Sequence, residues 1–174
     1  MRGLTDASRL REFMQAVARA ADGPLRVYLT GGATAVLHGW RQSTVDVDLK
    51  LAPEGNSILR ALPRIKEDLH INVELAAPSD FIPELPGWET RCRFIEQVRA
   101  VSFYHYDLYS QALAKIERGH AQDVTDVASM IQDGLVDRRE LLRLFEAIEV
   151  SLHRYPAIDP PSFRRAVEAV AHGA

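Results

Sequence analysis

Apolar residues along this chain recur at two periods, one near 3.6 and one of 2, and their alternation lays out the elements in order. Leu10, Phe13, Met14, Val17 and Ala21 share one helical face while Arg9, Arg11, Glu12 and Arg19 fall elsewhere, which predicts a surface helix over 6–21 covering a sheet. Asp22-Gly23-Pro24 ends that helix and launches a strand over 25–29. A short helix over 33–39 and a second strand over 45–51 come next, with Val45, Val47 and Leu49 on one face and Asp46 and Asp48 on the other. Ile58, Leu59, Leu62 and Ile65 mark a further helix that Pro63 should kink or split. A third strand is expected over 71–76, with Ile71, Val73 and Leu75 alternating against Asn72, Glu74 and Ala76. Residues 78–88, rich in proline and aromatics, read as an ordered loop, and 93–96 with 98–104 as a hairpin that extends the sheet. Helices fill the remainder: one capped by Asp107, one over about 121–133, one opened by the Asp137/Glu140 capping box, and a short one over 162–171. The pattern predicts an α/β (α+β) fold, a small mixed sheet backed by helices and followed by a C-terminal helical bundle. Residues 1–106 form the core and 107–174 the helical part, packed as a single compact unit.

The chemistry concentrates between Leu29 and Leu49. The first strand stops at Gly31-Gly32, where residues without a Cβ let a ligand approach the backbone, and the following helix start favours an anion. Asp46 and Asp48, at i and i+2 on one strand face, lie about 7 Å apart and can share divalent cations. Taken alone, such a pair is more often a strand's solvated face; the upstream glycine turn, separated from Asp46 by the thirteen residues 33–45, is what favours chemistry. Glu74 falls on the polar face of the next strand, either as a further site carboxylate or as an exposed charge.

With those residues in view, the chain resembles the nucleotidyltransferase superfamily of the DNA polymerase β-like fold, whose signature is a Gly-Gly or Gly-Ser turn followed by Asp-x-Asp. The resemblance implies that Gly31 and Gly32, flanked by Thr30, hold a nucleoside triphosphate, that Asp46 and Asp48 hold Mg²⁺ or Mn²⁺, and that Glu74 is a third metal ligand or the base. The segment from Asp107 to Asp126, with Lys115, Arg118, Asp123 and Asp126, together with Gly39-x-Arg41-x-x-Thr44-x-Asp46-x-Asp48, is similar to the bacterial AbiEii-type nucleotidyltransferases, many of them toxins of toxin–antitoxin pairs. That likeness implies catalytic roles for Lys115 and for Asp123 or Asp126, and nucleotide contacts for Arg41, Thr44 and Lys115. On physical grounds alone, Lys115, Arg118, Asp123 and Asp126 read first as an inter-helix salt-bridge cluster of little energetic consequence. Arg41 divides evenly between a phosphate contact and a bond to loop carbonyls.

Composition narrows the setting. The formal net charge of −3 gives no overall basic footprint, so contact with a nucleic acid requires a local patch. Arg91, Arg93 and Arg99, with the aromatic loop from Phe81 to Trp88, offer one, or equally are core and solvated face. A single cysteine, Cys92, excludes an internal disulfide framework, and the apolar runs are too short for a membrane span. The N-terminal residues lack a signal-peptide apolar region, so a cytoplasmic location is expected. The expected reaction moves a nucleoside monophosphate from an NTP to a macromolecular hydroxyl. RNA is the first choice of acceptor and protein the runner-up, with an antitoxin as possible partner. The alternative is a catalytically silent fold acting as a binding or assembly partner.

Overall fold

The computed structural model describes residues 3–54 and 56–173, apart from the side chain of Asn56. Contacts divide the chain into two units, Met1–Ala77 with Cys92–Tyr106, and Pro78–Arg91 with Asp107–Ala174.

The first unit opens with helix α1 (Ala7–Ala20), capped by Asp6, whose carboxylate accepts from the Arg9 N–H at 2.9 Å. Strand β1 (Leu25–Thr30) runs into helix α2 (Gly31–Leu37), and β2 (Asp46–Ala52), α3 (Asn56–Asp68) and β3 (Asn72–Glu74) follow. A hairpin, β4 (Arg93–Val98) and β5 (Val101–His105), completes a five-stranded sheet of order β3-β2-β1-β5-β4. The sheet is mixed, with β1 antiparallel to β2 but parallel to β5, and β3 parallel to β2. Val27, Leu29, Val47, Leu49, Val101 and Phe103 line one face and share a core with Leu10, Phe13, Met14 and Val17 of α1 and Ile58 and Leu62 of α3. Each such side chain stabilises the unit by about 1.5–3 kcal/mol. The opposite face carries the residues that alternate with them, among them Tyr28, Thr30, Asp46, Asp48, Lys50, Asn72, Glu74 and Tyr104.

Several boundaries differ from the sequence expectation. Val45 lies outside β2 and is exposed, because β2 begins at Asp46, which pairs with Asn72 of β3, while Thr44 is taken by an isolated bridge to Thr5. Strand β3 is three residues long, since it pairs only with β2 at the sheet edge, and Leu75 is consequently exposed. Helix α3 runs through Pro63 without splitting. Pro63 is exposed, so its missing N–H falls on the solvent side, while Ile58, Leu62 and Ile65 keep the opposite stripe packed.

In the second unit the proline-rich segment folds into a 3₁₀ turn, Pro78–Asp80, and a single-turn helix, α4 (Trp88–Arg91). Helices α5 (Leu108–Arg118), α6 (Ala121–Gln132), α7 (Arg138–Glu149) and α8 (Pro160–His172) follow. Asp107 caps α5 and is also gripped by Arg91, Nε to Oδ1 at 3.1 Å and Nη2 to Oδ2 at 2.8 Å, with Ser110 Oγ donating at 2.7 Å. That fork ties the two stretches of the unit together. Arg91 is therefore a structural residue, and the phosphate-surface alternative does not hold for it. Leu141, Leu144, Phe145 and Ile148 of α7 meet Phe163 and Val167 of α8, with the two phenylalanine rings edge to face at 4.9 Å.

Candidate active site

In the first unit the strand pairing assembles the carboxylates. Asp48 stands opposite Thr30 on one side and Glu74 on the other, and Asp46 stands opposite Asn72, so all five side chains project from one face. Asn72 Nδ2 donates to Asp46 Oδ1 at 2.5 Å and to Glu74 Oε1 at 3.3 Å, linking two carboxylates through one amide. Sequence reasoning gave Asn72 no part in the site. The signal was its parity with Glu74 across a two-residue period. Two carboxylates on one strand suit a hard divalent cation, because Mg²⁺ is commonly held by one or two carboxylates plus substrate phosphates and water. Among the described residues no three His, Cys, Asp or Glu side chains gather as a metal-binding group.

The glycine turn meets those carboxylates directly. Helix α2 begins at Gly31 itself, two residues earlier than expected, and only Gly31 takes positive φ, at 59°. A Cβ on Gly31 would lie 2.8 Å from Asp48 Oδ2, and one on Gly32 would lie 2.0 Å from Thr44 Oγ1. The space freed by the two glycines is thus occupied by the side chains of Asp48 and Thr44. Thr44 in turn donates to Asp46 O at 3.0 Å, which pins the start of β2 beside the turn. Thr30 is buried at the N-cap without a side-chain cap bond, and half-buried Arg41 donates its backbone N–H to Ala35 O at 3.3 Å.

His105, paired with Leu29 in the β1–β5 register, braces α2 from behind. Thr34 Oγ1 gives its one proton to Leu29 O at 3.2 Å, so its oxygen accepts from His105 Nδ1–H, also at 3.2 Å, and the imidazole lone pair resides on Nε2. Burial, then the neighbouring His38 ring and Arg93, push the His105 pKa down to about 3. His38 stacks between His105, at 4.4 Å, and Trp40, at 4.6 Å.

In the second unit Lys115 Nζ donates to Asp126 Oδ2 at 2.7 Å and to Asp123 Oδ1 at 3.4 Å. Arg118 grips Asp123 with Nε at 2.8 Å and Nη2 at 2.6 Å. Lys115, Asp123 and Asp126 are 4%, 1% and 0% exposed, whereas Val124 is 64% exposed. Helix α6 therefore buries its two carboxylates beside Val127 and Met130 and leaves Val124 outward, because α5 offers cations to pair with them. Burial alone would raise the Asp123 pKa, but the Arg118 fork and the Lys115 charge outweigh it and hold the group below its ordinary value. The cluster closes one end of a cavity of about 410 Å³ whose other walls include Val127, Ile131, Ala169 and Val170, a low-dielectric flank that strengthens these ion pairs.

A five-stranded mixed sheet with eight α-helices among the described residues, carrying a glycine turn against an Asp-x-Asp strand, defines the class as an α/β protein of nucleotidyltransferase architecture. The chain belongs to the family described as "Nucleotidyltransferase of unknown function (DUF6036)", which matches residues 7–167. No curated protein and no solved structure matched it. Among the described residues no helix is long and apolar enough to cross a membrane.

Proposed function

We propose that the protein transfers a nucleoside monophosphate from an NTP to a macromolecular hydroxyl, with RNA as the acceptor. The observation that supports this reading is the closeness of the Asp48 carboxylate to Gly31, where an added Cβ would lie 2.8 Å from Oδ2, so that the glycine turn and the Asp-x-Asp strand lie side by side. Asp46 and Asp48 would hold Mg²⁺ or Mn²⁺, which when bound neutralises triphosphate charge. The turn at Gly31 and Gly32, with Thr30, Thr44 and Arg41 around it, would hold the phosphates. The acceptor oxygen attacks the α-phosphorus, the bond from that phosphorus to the α,β-bridging oxygen breaks, and pyrophosphate leaves. Glu74 would take the acceptor proton. By the AbiEii-type resemblance, Lys115 with Asp123 or Asp126 would contribute to turnover, growth inhibition would be the cellular outcome, and an antitoxin the protein partner. The same resemblance, and not basicity, favours RNA over a protein acceptor.

Calorimetric titration with each NTP and Mg²⁺ tests the nucleotide half of this reading. Asp46→Asn and Asp48→Asn are expected to weaken binding at least tenfold, since each removal leaves phosphate charge uncompensated. Equal affinity in the wild type and both variants would remove these residues from the site.

A further inference from the structure

The face of the sheet that bears Asp46 and Asp48 also bears a row of rings. Register aligns Lys50, Tyr28, Tyr104 and Phe94 across β2, β1, β5 and β4, one row beyond Asp48. The next row carries Ala52, Arg26, Ser102 and Gln97. Tyr28 is buried with its ring 5.5 Å from that of Tyr104, Tyr104 is half-buried, and Phe94 meets Tyr104 edge to face at 5.6 Å while remaining 60% exposed. A large apolar ring on an edge strand is a liability unless something covers it. The charges on this face indicate what does, since Lys50 ends the row of rings beside Asp48 and exposed Arg26 stands in the next row, so that cations border the rings on two sides.

We propose that this row is a stacking platform for the acceptor, a single-stranded RNA whose base lies on Phe94 and whose phosphates pass Lys50 and Arg26. The assignment rests on RNA being the acceptor in the reading above. Cations along a backbone path with aromatic rings beside it are the combination that binds single strands without reading sequence. Two residues along a strand and three strand spacings put Phe94 roughly 16 Å from Asp48. The platform therefore holds a nucleotide away from the reacting hydroxyl and leaves the triphosphate site to Asp46, Asp48 and the glycine turn. It lies on β4 and β5 and not in the 78–88 loop, where the aromatic surface was sought from the sequence.

Fluorescence anisotropy of a labelled single-stranded RNA of about twelve nucleotides, within the usual site sizes, tests the platform in the full-length protein. Phe94→Leu, which keeps an apolar side chain but removes the ring, is expected to weaken RNA binding about tenfold, and Phe94→Trp to retain it. Lys50→Gln is expected to reduce the slope of log affinity against log salt by about 0.7, the share of one phosphate contact on a single strand. Calorimetric Mg²⁺–NTP affinity should be unchanged in Phe94→Leu, so loss of RNA binding and failure of the nucleotide site remain separable. Equal RNA affinity in wild type and Phe94→Leu overturns the platform, as does no RNA binding by a protein that binds NTP. Protection of Phe94 by a protein partner, with RNA binding indifferent to the substitution, overturns it in favour of a protein-docking face.

Discussion

A lysine ammonium with one carboxylate oxygen at 2.7 Å and another at 3.4 Å, buried with both partners, has given up most of its hydration for two ion pairs. Such a group cannot be removed as a surface charge can, because the carboxylates it leaves behind stay buried. Lys115→Met is therefore expected to lower unfolding stability by about 3–5 kcal/mol in urea titration. A loss under about 1 kcal/mol would mean the cluster behaves as a solvated pair. The prospect that this cluster would matter little to folding came from reading charged residues as exposed, and nothing in the local sequence contradicts that reading. What distinguishes Lys115 is that Asp123 and Asp126, eight and eleven positions on, face inward from the next helix, a tertiary fact. Gly31 and Gly32 teach the complementary lesson. Their absence of side chains was legible, but the reason includes two neighbours, Thr44 and Asp48, that stand twelve and seventeen positions further along the chain than Gly32 and Gly31.

Among elements, α2 is short and has little of its own to hold it, so its link to β5 through Thr34 and His105 fixes where the glycine turn sits. The imidazole in that link is held neutral by its burial. His105 has its folded pKa lowered to about 3, so between the ordinary value of 6.5 and about 3 the unfolded chain binds a proton that the folded one refuses. Its contribution to stability is whole above pH 6.5 and is lost as pH falls, at about 1.4 kcal/mol per pH unit. Between pH 7.5 and 5.0 the wild type should lose about 2 kcal/mol more stability than His105→Asn, measured by urea titration at each pH. Equal losses would show that His105 titrates normally. The elements around this site were largely readable: β1, α2 and β2 followed from a period of two on either side of a glycine turn. Their limits were not, because Val45 and Leu75 continue the apolar alternation past the point where a partner strand stops. Helix α6 carries the same lesson, since apolar periodicity does not show that Asp123 and Asp126 are buried beside Val127 and Met130.

At the scale of the whole molecule, the family match runs from 7 to 167, through residues of both units, so the nucleotidyltransferase assignment does not rest on the Asp-x-Asp strand alone. With a net charge of −3, the chain offers an anionic acceptor no general attraction, and recognition has to be local. The sheet face supplies such a locality, with carboxylates at one corner and Lys50, Arg26 and Phe94 away from it. The most direct test is to follow the two ends of the nucleotide separately. Incubated with Mg²⁺ and total RNA, α-labelled NTP is expected to leave its label in RNA while γ-labelled NTP releases its label as pyrophosphate, and Asp48→Asn should abolish both. Label in protein would move the acceptor to a polypeptide, and γ-label released as orthophosphate with no α-label transferred to any macromolecule would contradict nucleotidyl transfer itself.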